Sequence, residues 1–416
     1  MLSLSPTTCA ITSQSLFVLL LLASIVWTSS SLSLPTSFHR PHPRSAFVRD
    51  FSQVVSIGLG NVGKPAIARE TLTSSTERPI ASGVMNQVIY EPTFIDVLGE
   101  QIPVAAWYTS KLYGMSSNDS RFTGSSNAVY KHRISVKKIG RSLAGWNFIP
   151  SFTTRSFTIS PSETNVVQVE SSVSTPNFAS STAPVVLLAH GYLGSRFDLS
   201  HYAEDLAAEG FLVLSPEYPE SLADSYDTTT KPIDRTLITN QLLQTLNNQW
   251  YVKVTSYGII GHSLGCGTAI KTGDDSWARV CIAGFPSSGS KGLFIASTND
   301  GAVPISRVID SLKSLDYVSL DENAARIRQW DKLPLKTSLV FNEIYDNRPP
   351  PNHISFLSEG TNAAMVDFLS PLLPVARYFG IPVLDFDKYQ LVRDSGVTGE
   401  VVRPLVVEYL KQMSAV

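Results

Sequence analysis

Short apolar runs alternate with helix-like patterns along most of the chain after residue 184. The apolar runs show no polar alternation, which indicates strands that are buried on both faces. Strands that alternate with helices predict βαβ units, and hence an α/β fold with a mainly parallel, twisted sheet and helices on both faces. The predicted elements are strands at 185–189, 211–214, 257–260, 280–285, 292–297 and 338–341, and helices near 199–209, 234–249, from about 264 and near 304–314.

The chain before this series is less regular. Apolar and β-branched residues flank Gly99, so 94–108 is expected to form two strands joined by a turn. Residues 113–183 are rich in Ser and Thr and are interpreted as an insertion near the N-terminal end of the domain. Two hypotheses apply to it: a patch that meets a lipid surface, or, as we favour, a solvated hairpin packed on the core. Its basic run comprises Lys131, His132, Arg133, Lys137, Lys138 and Arg141, followed by the aromatics Trp146, Phe148, Phe152 and Phe157.

The N-terminus has the composition of a targeting leader. An apolar run of about a dozen residues at 16–27 suits the core of a secretory signal, whereas a membrane span needs about 20 residues. We therefore assign 1–30 as a signal peptide, with an uncleaved membrane anchor as the alternative. Residues 31–85 form a transit-like leader rich in Ser, Thr, Arg and Pro, which leaves 86–416 as the folded domain.

The two parts of this leader together resemble the plastid leaders of algae with complex plastids. The segments at 37–38 and 45–47 place Phe after small residues, which is similar to the cleavage site of such leaders. The resemblance implies a plastid location. Secretion, or retention in the endoplasmic reticulum lumen, is the alternative.

Composition narrows the function classes. Hydrophobic residues make up 43% of the chain and charged residues 16%, which is enough apolar material for a large core. The formal net charge of −2 does not favour nucleic acid as a partner. Cys9 lies in the leader, and a bridge between Cys266 and Cys281 is disfavoured because each falls in a different regular element.

Motifs for metals and cofactors are missing from the sequence. It contains no His-Glu-x-x-His, no cysteine pair at zinc spacing and no Gly-x-x-x-x-Gly-Lys loop. The run at 58–63 spells a dinucleotide fingerprint, but it lies in the leader with no clear βαβ unit around it. We therefore expect neither a cofactor nor a metal.

The strongest chemical signal is Gly-His-Ser-Leu-Gly at 261–265, placed after an apolar strand and before a helix. This pattern is typical of a nucleophile on a sharp, strained strand-to-helix turn, which projects the Oγ of Ser263 above the sheet. The helix that follows directs its N-terminal amides at the reacting carbonyl. Ser263 is thus the predicted nucleophile.

A serine hydroxyl needs a base, and in this arrangement the acid and the histidine follow the serine in the chain. His353 is the only histidine after Ser263 and lies beyond the last predicted strand. Among the acidic residues between them, Asp300 is preferred because it ends the run 293–300, a predicted strand that is followed at once by a loop with Val303-Pro304. Asp346 is the first alternative.

An oxyanion requires two backbone donors. Leu264, after the nucleophile, is expected to supply one, and Tyr192, in the loop after the strand at 185–189, the other. His190 and His262 are interpreted as structural residues. The proline-containing segment 217–233 is a candidate pocket wall or lid.

Taken together, Gly191, the Ser263 turn, Asp300 before Val303-Pro304, and His353 resemble the α/β-hydrolase superfamily over about 94–416. Residues 101–108 look like an early strand of the platelet-activating-factor acetylhydrolase group. Residues 190–213 are similar to that group and to chlorophyllase and polyester-hydrolase relatives. Chlorophyllases usually carry Arg and Gly where this chain has Leu264 and Cys266.

The resemblance implies a serine-dependent carboxylic-ester hydrolase that works through an acyl-enzyme, without a cofactor, on a small-molecule ester. A hydrophobic or lipid-like ester, chlorophyll or an acyl lipid, is the expected substrate. The alternatives are a thioesterase or amidase with the same three residues, and a non-catalytic binding protein of this fold. Contact with a membrane or lipid surface is a further expectation.

Overall fold

The computed structural model describes residues 87–110, 126–144, 149–162, 166–169, 182–224, 233–369 and 391–415. The chain divides into two compact units, Met1–Ser74 and Ser75–Val416, and all of the described residues belong to the second. The predicted signal peptide, the transit-like leader through residue 85 and the run at 58–63 lie outside the described residues. So do 225–232, the central part of the predicted lid.

One large sheet and one separate hairpin account for the strands of the described ranges. The sheet has the order β12-β13-β11-β10-β9-β7-β8-β2-β1-β6-β3, and β4 pairs with β5 alone. The strands are β1 Val88–Val97, β2 Glu100–Thr109, β3 Ser126–Asn127, β4 Tyr130–Ser135, β5 Thr154–Ile159, β6 Val166–Gln168, β7 Thr182–Ala189, β8 Leu212–Pro216, β9 Lys253–His262, β10 Ala278–Ile282, β11 Gly292–Ser297, β12 Val318–Leu320 and β13 Lys336–Phe341.

Helices connect the strands of the sheet. They are α1 Val136–Ala144, α2 Ser200–Ala208, α3 Arg235–Asn248, α4 Leu264–Lys271, α5 Ile309–Ser314, α6 Glu322–Arg326, α7 Glu359–Leu369 and α8 Ser395–Ser414, with short 3₁₀ helices at Ile305–Arg307 and His353–Phe356. Asp234 and Asp394 start α3 and α8, since each carboxylate accepts a backbone N–H of the first turn.

The sheet is mainly parallel. Strands β8, β7, β9, β10, β11, β13 and β12 run parallel to one another, while β2 is antiparallel to both β1 and β8. Parallel strands require crossovers, and the helices between them supply these. The carboxyl ends of β7 to β13 therefore share one edge of the sheet.

Both faces of the sheet are covered. Along β7, Val186 and Leu188 join a core that includes residues of α2 and α8, whereas Val185 and Leu187 join a second core with residues of α3 and α4. Successive strand residues point to opposite faces, so an apolar run buried on both sides serves two cores at once. The predicted α/β architecture with helices on both faces is confirmed.

The element boundaries differ from the sequence prediction at three places. Strand β10 ends at Ile282, because Ala283 has a positive φ of 52° and leaves the strand conformation. The helix expected near 304–314 divides into the 3₁₀ helix and α5. The 20-residue helix α8, which contains Pro404 and packs on β9 and β10, was not anticipated.

The basic run in the predicted insertion is not uniformly solvated. His132 and Lys138 are buried, and Lys138 Nζ donates a 2.6 Å hydrogen bond to the carbonyl oxygen of Ala223. Phe152, by contrast, is 83% exposed. Strand β4 and helix α1 therefore turn part of this basic run inward, against the segment that follows β8. Lys131 and Arg133 are exposed, and Lys137 and Arg141 are partly buried.

No helix within the described part of the chain is both long enough and apolar enough to span a bilayer.

Candidate active site

Ser263 occupies a sharp turn between β9 and α4. Its φ of 55° and ψ of −118° are rarely adopted by residues with a side chain. The flanking glycines make the turn sterically feasible. A Cβ at Gly261 would lie 2.4 Å from the carbonyl oxygen of Gly265, and one at Gly265 would lie 1.9 Å from that of Ala189. The strained conformation is held from both sides: the Ser263 N–H donates to Ile282 O at 2.9 Å, and Ser263 O accepts from Cys266 N.

Asp300 and His353 meet at the same edge of the sheet. Asp300 lies just after β11 and His353 begins the 3₁₀ helix beyond β13; both side chains are buried. His353 Nδ1 lies 2.9 Å and 3.0 Å from the two carboxylate oxygens of Asp300. A carboxylate only accepts hydrogen bonds, so Nδ1 carries the proton and Nε2 is left as a proton acceptor.

The Asp300 carboxylate is itself oriented by its own loop. Its Oδ1 accepts backbone N–H bonds of 2.8 Å from Ala302 and from Val303. Asp346, the alternative acid, is exposed in a left-handed turn. Among the acidic residues weighed from the sequence, the structure brings Asp300 to His353.

His353 lies against the turn that carries the serine. His262, immediately before Ser263, has its ring centroid 4.8 Å from that of His353, and its Nε2 lies 3.0 Å from the His353 carbonyl oxygen. The serine, the imidazole and the carboxylate therefore occupy one cluster, as their order in the chain predicts.

The loop between β7 and α2, residues 190–199, passes beside the serine. A Cβ at Gly191 would lie 3.2 Å from Ser263 Cβ and 3.1 Å from His262 Nδ1, so a side chain here would require these neighbours to shift by a few tenths of an ångström. Tyr192 follows directly, and Leu264 is the first residue of α4, where a backbone N–H has no partner within the helix. Both residues predicted to hold an oxyanion thus flank the nucleophile.

His190 holds the start of this β7–α2 loop. Its Nε2 accepts the N–H of Tyr218 at 3.0 Å, so its Nδ1 carries the proton and donates to Gly191 O at 2.8 Å. Burial, reinforced by the nearby Arg235, lowers the pKa of His190 to about 4. The neutral His190 ring thus forms one hydrogen bond at each nitrogen, and together these bonds fix the start of the loop.

Two arginines also hold this loop, and neither was predicted from the sequence. Arg235 Nη1 donates to His190 O at 2.9 Å. Arg196 forms a 2.6 Å ion pair with the fully buried Glu217, which also accepts the Arg196 N–H. Burial acts to raise the pKa of Glu217, but Arg196 and then His190 outweigh it and lower the pKa. Single charged residues at irregular spacing left no motif from which to predict this network.

The two cysteines in the described part of the chain form no bridge. Cys266 and Cys281 are both free and buried. Cys266 Sγ donates to Gly261 O at 3.2 Å, and burial raises the pKa of its thiol. A buried, protonated thiol is a packing group rather than a nucleophile.

Apolar side chains surround the serine. Tyr192, Leu264 and Phe285 are 49%, 43% and 51% exposed, and Phe285 follows Gly284, where a Cβ would lie 2.8 Å from Ser263 O. An apolar pocket adjoins the β7–α2 loop. Its walls include Leu193 from the loop, Ile134, Phe157 and Ile159 from the β4–β5 hairpin, and Met365 from α7.

In the parts of the chain that the structure describes, no group of three or more His, Cys, Asp or Glu side chains could hold a metal ion.

Comparisons with known proteins return structural similarity alone. No protein-family model matches the chain, and no curated protein matches it either. The structure is similar to a ferulic acid esterase from Streptomyces cinnamoneus, with 14% identity, 80% of this chain and 91% of that chain covered, and a TM-score of 0.42. It is also similar to an esterase from Pyrococcus furiosus, with 11% identity, 78% and 93% covered, and a TM-score of 0.34.

The fold is therefore assigned from the molecule itself. The order β1-β2-β8-β7-β9-β10-β11-β13, with only β2 antiparallel to its neighbours in that series, forms the sheet. The serine turn follows the central strand β9, the acid follows β11, and the histidine follows β13. Strand order and the placement of these three residues are those of the α/β-hydrolase superfamily, and the chain has that fold.

Proposed function

We propose that this protein is a serine-dependent carboxylic-ester hydrolase that works through an acyl-enzyme. The observation that carries the proposal is the cluster at one sheet edge: Ser263 on its strained turn, with the hydrogen-bonded pair of His353 and Asp300 beside it. A serine, a correctly protonated imidazole and a buried carboxylate are the parts that acyl transfer requires.

The proposed reaction begins when Ser263 Oγ attacks the ester carbonyl and His353 Nε2 takes the hydroxyl proton. The backbone amides of Tyr192 and Leu264 stabilise the oxyanion, and Asp300 stabilises the imidazolium. Collapse of the tetrahedral intermediate breaks the ester bond, and His353 protonates the departing alcohol. A water molecule, deprotonated by the same histidine, then attacks the acyl-enzyme and releases the acid and free Ser263.

The surroundings of the serine support a hydrophobic or lipid-like ester. The half-exposed side chains of Tyr192, Leu264 and Phe285 offer apolar surface to a substrate at the entrance. Within this class we propose an acyl lipid or chlorophyll, in line with the sequence resemblance to acetylhydrolases and chlorophyllases. The plastid location and the lipid-surface contact remain predictions.

The experiment that tests the proposal compares the full-length protein with Ser263→Ala and with the control Ser256→Ala. Ser256 lies on the same strand, and its hydroxyl bonds to no other group. We expect the wild type and Ser256→Ala to hydrolyse p-nitrophenyl butyrate and to react with a fluorophosphonate. Ser263→Ala should do neither while unfolding at an unchanged temperature.

Activity that survives Ser263→Ala would overturn the mechanism. Absence of fluorophosphonate labelling in the wild type would indicate a binding protein instead. Hydrolysis of chlorophyll a, a short-chain acyl phospholipid, a thioester and an amide is then measured with the wild type and Ser263→Ala. The compound with the highest serine-dependent rate identifies the substrate class.

A further inference from the structure

His262 makes a contact that the proposed reaction does not use. It precedes Ser263, yet its Nε2 reaches the backbone of His353, 91 positions further along the chain, at 3.0 Å. The side chain is buried, and its ring lies at 47° to the ring of His353. The residue before the nucleophile thus touches the segment that carries the base.

The partner defines where the proton of His262 resides. A carbonyl oxygen only accepts hydrogen bonds, so Nε2 carries the hydrogen and Nδ1 is a bare lone pair. That Nδ1 is buried with no hydrogen-bond partner, and it faces Gly191. Burial, together with the neighbouring His353, lowers the pKa of His262 to about 3, so the ring is neutral at physiological pH. A neutral donor can sit beside the imidazolium that His353 forms during the reaction.

The bond ties the first residue of the 3₁₀ helix His353–Phe356 to a side chain outside that helix. In the 3₁₀ helix, Ser355 N donates to Asn352 O and Leu357 N donates to Ile354 O. His262 Nε2 contacts the His353 carbonyl from the serine turn, so the position of this short helix does not rest on its own backbone bonds alone. His353 is therefore held at two points, its ring by Asp300 and its backbone by His262.

We propose that His262 is a positioning residue, which anchors the backbone of His353 to the serine turn and so fixes the distance between Ser263 and its base. The inference rests on the proposed function, because it assigns His353 as that base. Nucleophile and base lie on separate elements, and a misplacement of about 1 Å can reduce a rate roughly a hundredfold.

Three substitutions separate this role from simple packing. The amide nitrogen of Gln coincides approximately with Nε2 of His, whereas that of Asn coincides with Nδ1. His262→Gln therefore keeps the donor to His353 O, while His262→Asn and His262→Phe lose it. Asn keeps the polarity, and Phe keeps the ring volume.

In steady-state ester hydrolysis, we expect kcat to fall about tenfold to a hundredfold in the Asn and Phe variants, with KM nearly unchanged. His262→Gln should retain kcat within about threefold of the wild type. Thermal unfolding is measured on all three, because a packing role predicts that activity follows stability. The proposal would be overturned if kcat fell in parallel with the unfolding temperature across the three variants and His262→Gln did not retain kcat.

A second readout does not depend on turnover. The proton NMR signal of the Nδ1–H shared by His353 and Asp300 should persist in the wild type and in His262→Gln. It should broaden or vanish in the Asn and Phe variants, because an unanchored His353 exchanges that proton faster. An unchanged signal in all variants would refute the anchor, whether or not the protein hydrolyses esters. Failure of the proposed function would appear separately, as a wild type that the fluorophosphonate does not label.

Discussion

The two segments that flank Ser263 are held in place by different chemistry. The β7–α2 loop rests on buried charges: the Arg196–Glu217 ion pair and Arg235, with neutral His190 between them. The segment that carries the proposed base, residues 342–358, is held near His353 by hydrogen bonds of the uncharged side chains of His262, Asn352 and Asn362. Among the described residues, the charge that contacts His353 is that of Asp300, and it faces the ring that becomes positive in the proposed reaction.

The difference follows from what each segment would do in the reaction. An oxyanion hole must present its donors without rearrangement, and a buried ion pair in good geometry resists displacement because separating it is costly. The base changes its charge in every cycle, so fixed charges around its backbone would favour one state over the other. Neutral bonds hold the position of His353 without biasing its protonation.

The largest effect is expected on the base side, from Asp300→Asn. The amide can still accept the N–H bonds of Ala302 and Val303, but it no longer stabilises an imidazolium or selects the correct tautomer. We expect kcat to fall roughly 10³–10⁴-fold, with little loss of stability.

The matched control is Asp346→Asn, since this exposed carboxylate is the alternative acid. Stopped-flow measurement of acyl-enzyme formation in both variants checks the assignment. A large loss in Asp346→Asn together with a normal rate in Asp300→Asn would exchange their roles.

The next effect concerns the charged side. Glu217→Gln removes the carboxylate but not its volume, and leaves Arg196 largely buried without a counter-charge. Breaking a buried pair in this way costs about 3–5 kcal/mol in the free energy of unfolding.

Glu209→Gln breaks an exposed ion pair with Lys411 and serves as the control, for which a change below about 1 kcal/mol is expected. Urea unfolding of both variants measures the difference. Equal, small losses would show that the β7–α2 loop does not depend on its buried charges.

A further effect depends on pH and involves buried histidines on both sides of the serine and in the β4–β5 hairpin. His132, His190 and His262 have pKa values lowered by burial to about 4, 4 and 3. Between pH 6.5 and 4 the unfolded chain binds protons that the folded chain does not, so each histidine lowers the free energy of unfolding by about 1.4 kcal/mol per pH unit as the pH falls.

Asp198 acts in the opposite direction. Burial raises the pKa of its carboxyl to about 7, so within this window the folded state binds the extra proton and gains stability as the pH falls. Asp198→Asn should therefore steepen the loss of stability between pH 6.5 and 5. Urea midpoints measured at several pH values test this, and a flat profile for the wild type would contradict the assigned shifts.

The sequence by itself determined the architecture and the candidate chemistry. Apolar runs without alternation predicted parallel strands buried on both faces, and β7, β9, β11 and β13 lie where those runs predicted them. The glycines around Ser263 and the chain order of serine, acid and histidine can be identified in the sequence without knowledge of tertiary contacts. They led to Ser263, Asp300, His353, Tyr192 and Leu264 before any fold was known.

Only the tertiary structure decided what holds these residues in place. Glu217 meets Arg196 and His190, and His262 meets a carbonyl 91 residues away, because crossovers bring distant strand ends to one edge of the sheet. Likewise, the buried Lys138 donates to the backbone carbonyl of Ala223, 85 residues further along the chain. Such contacts depend on individual partners rather than on periodicity, so the pattern of residue types along the chain contains no trace of them.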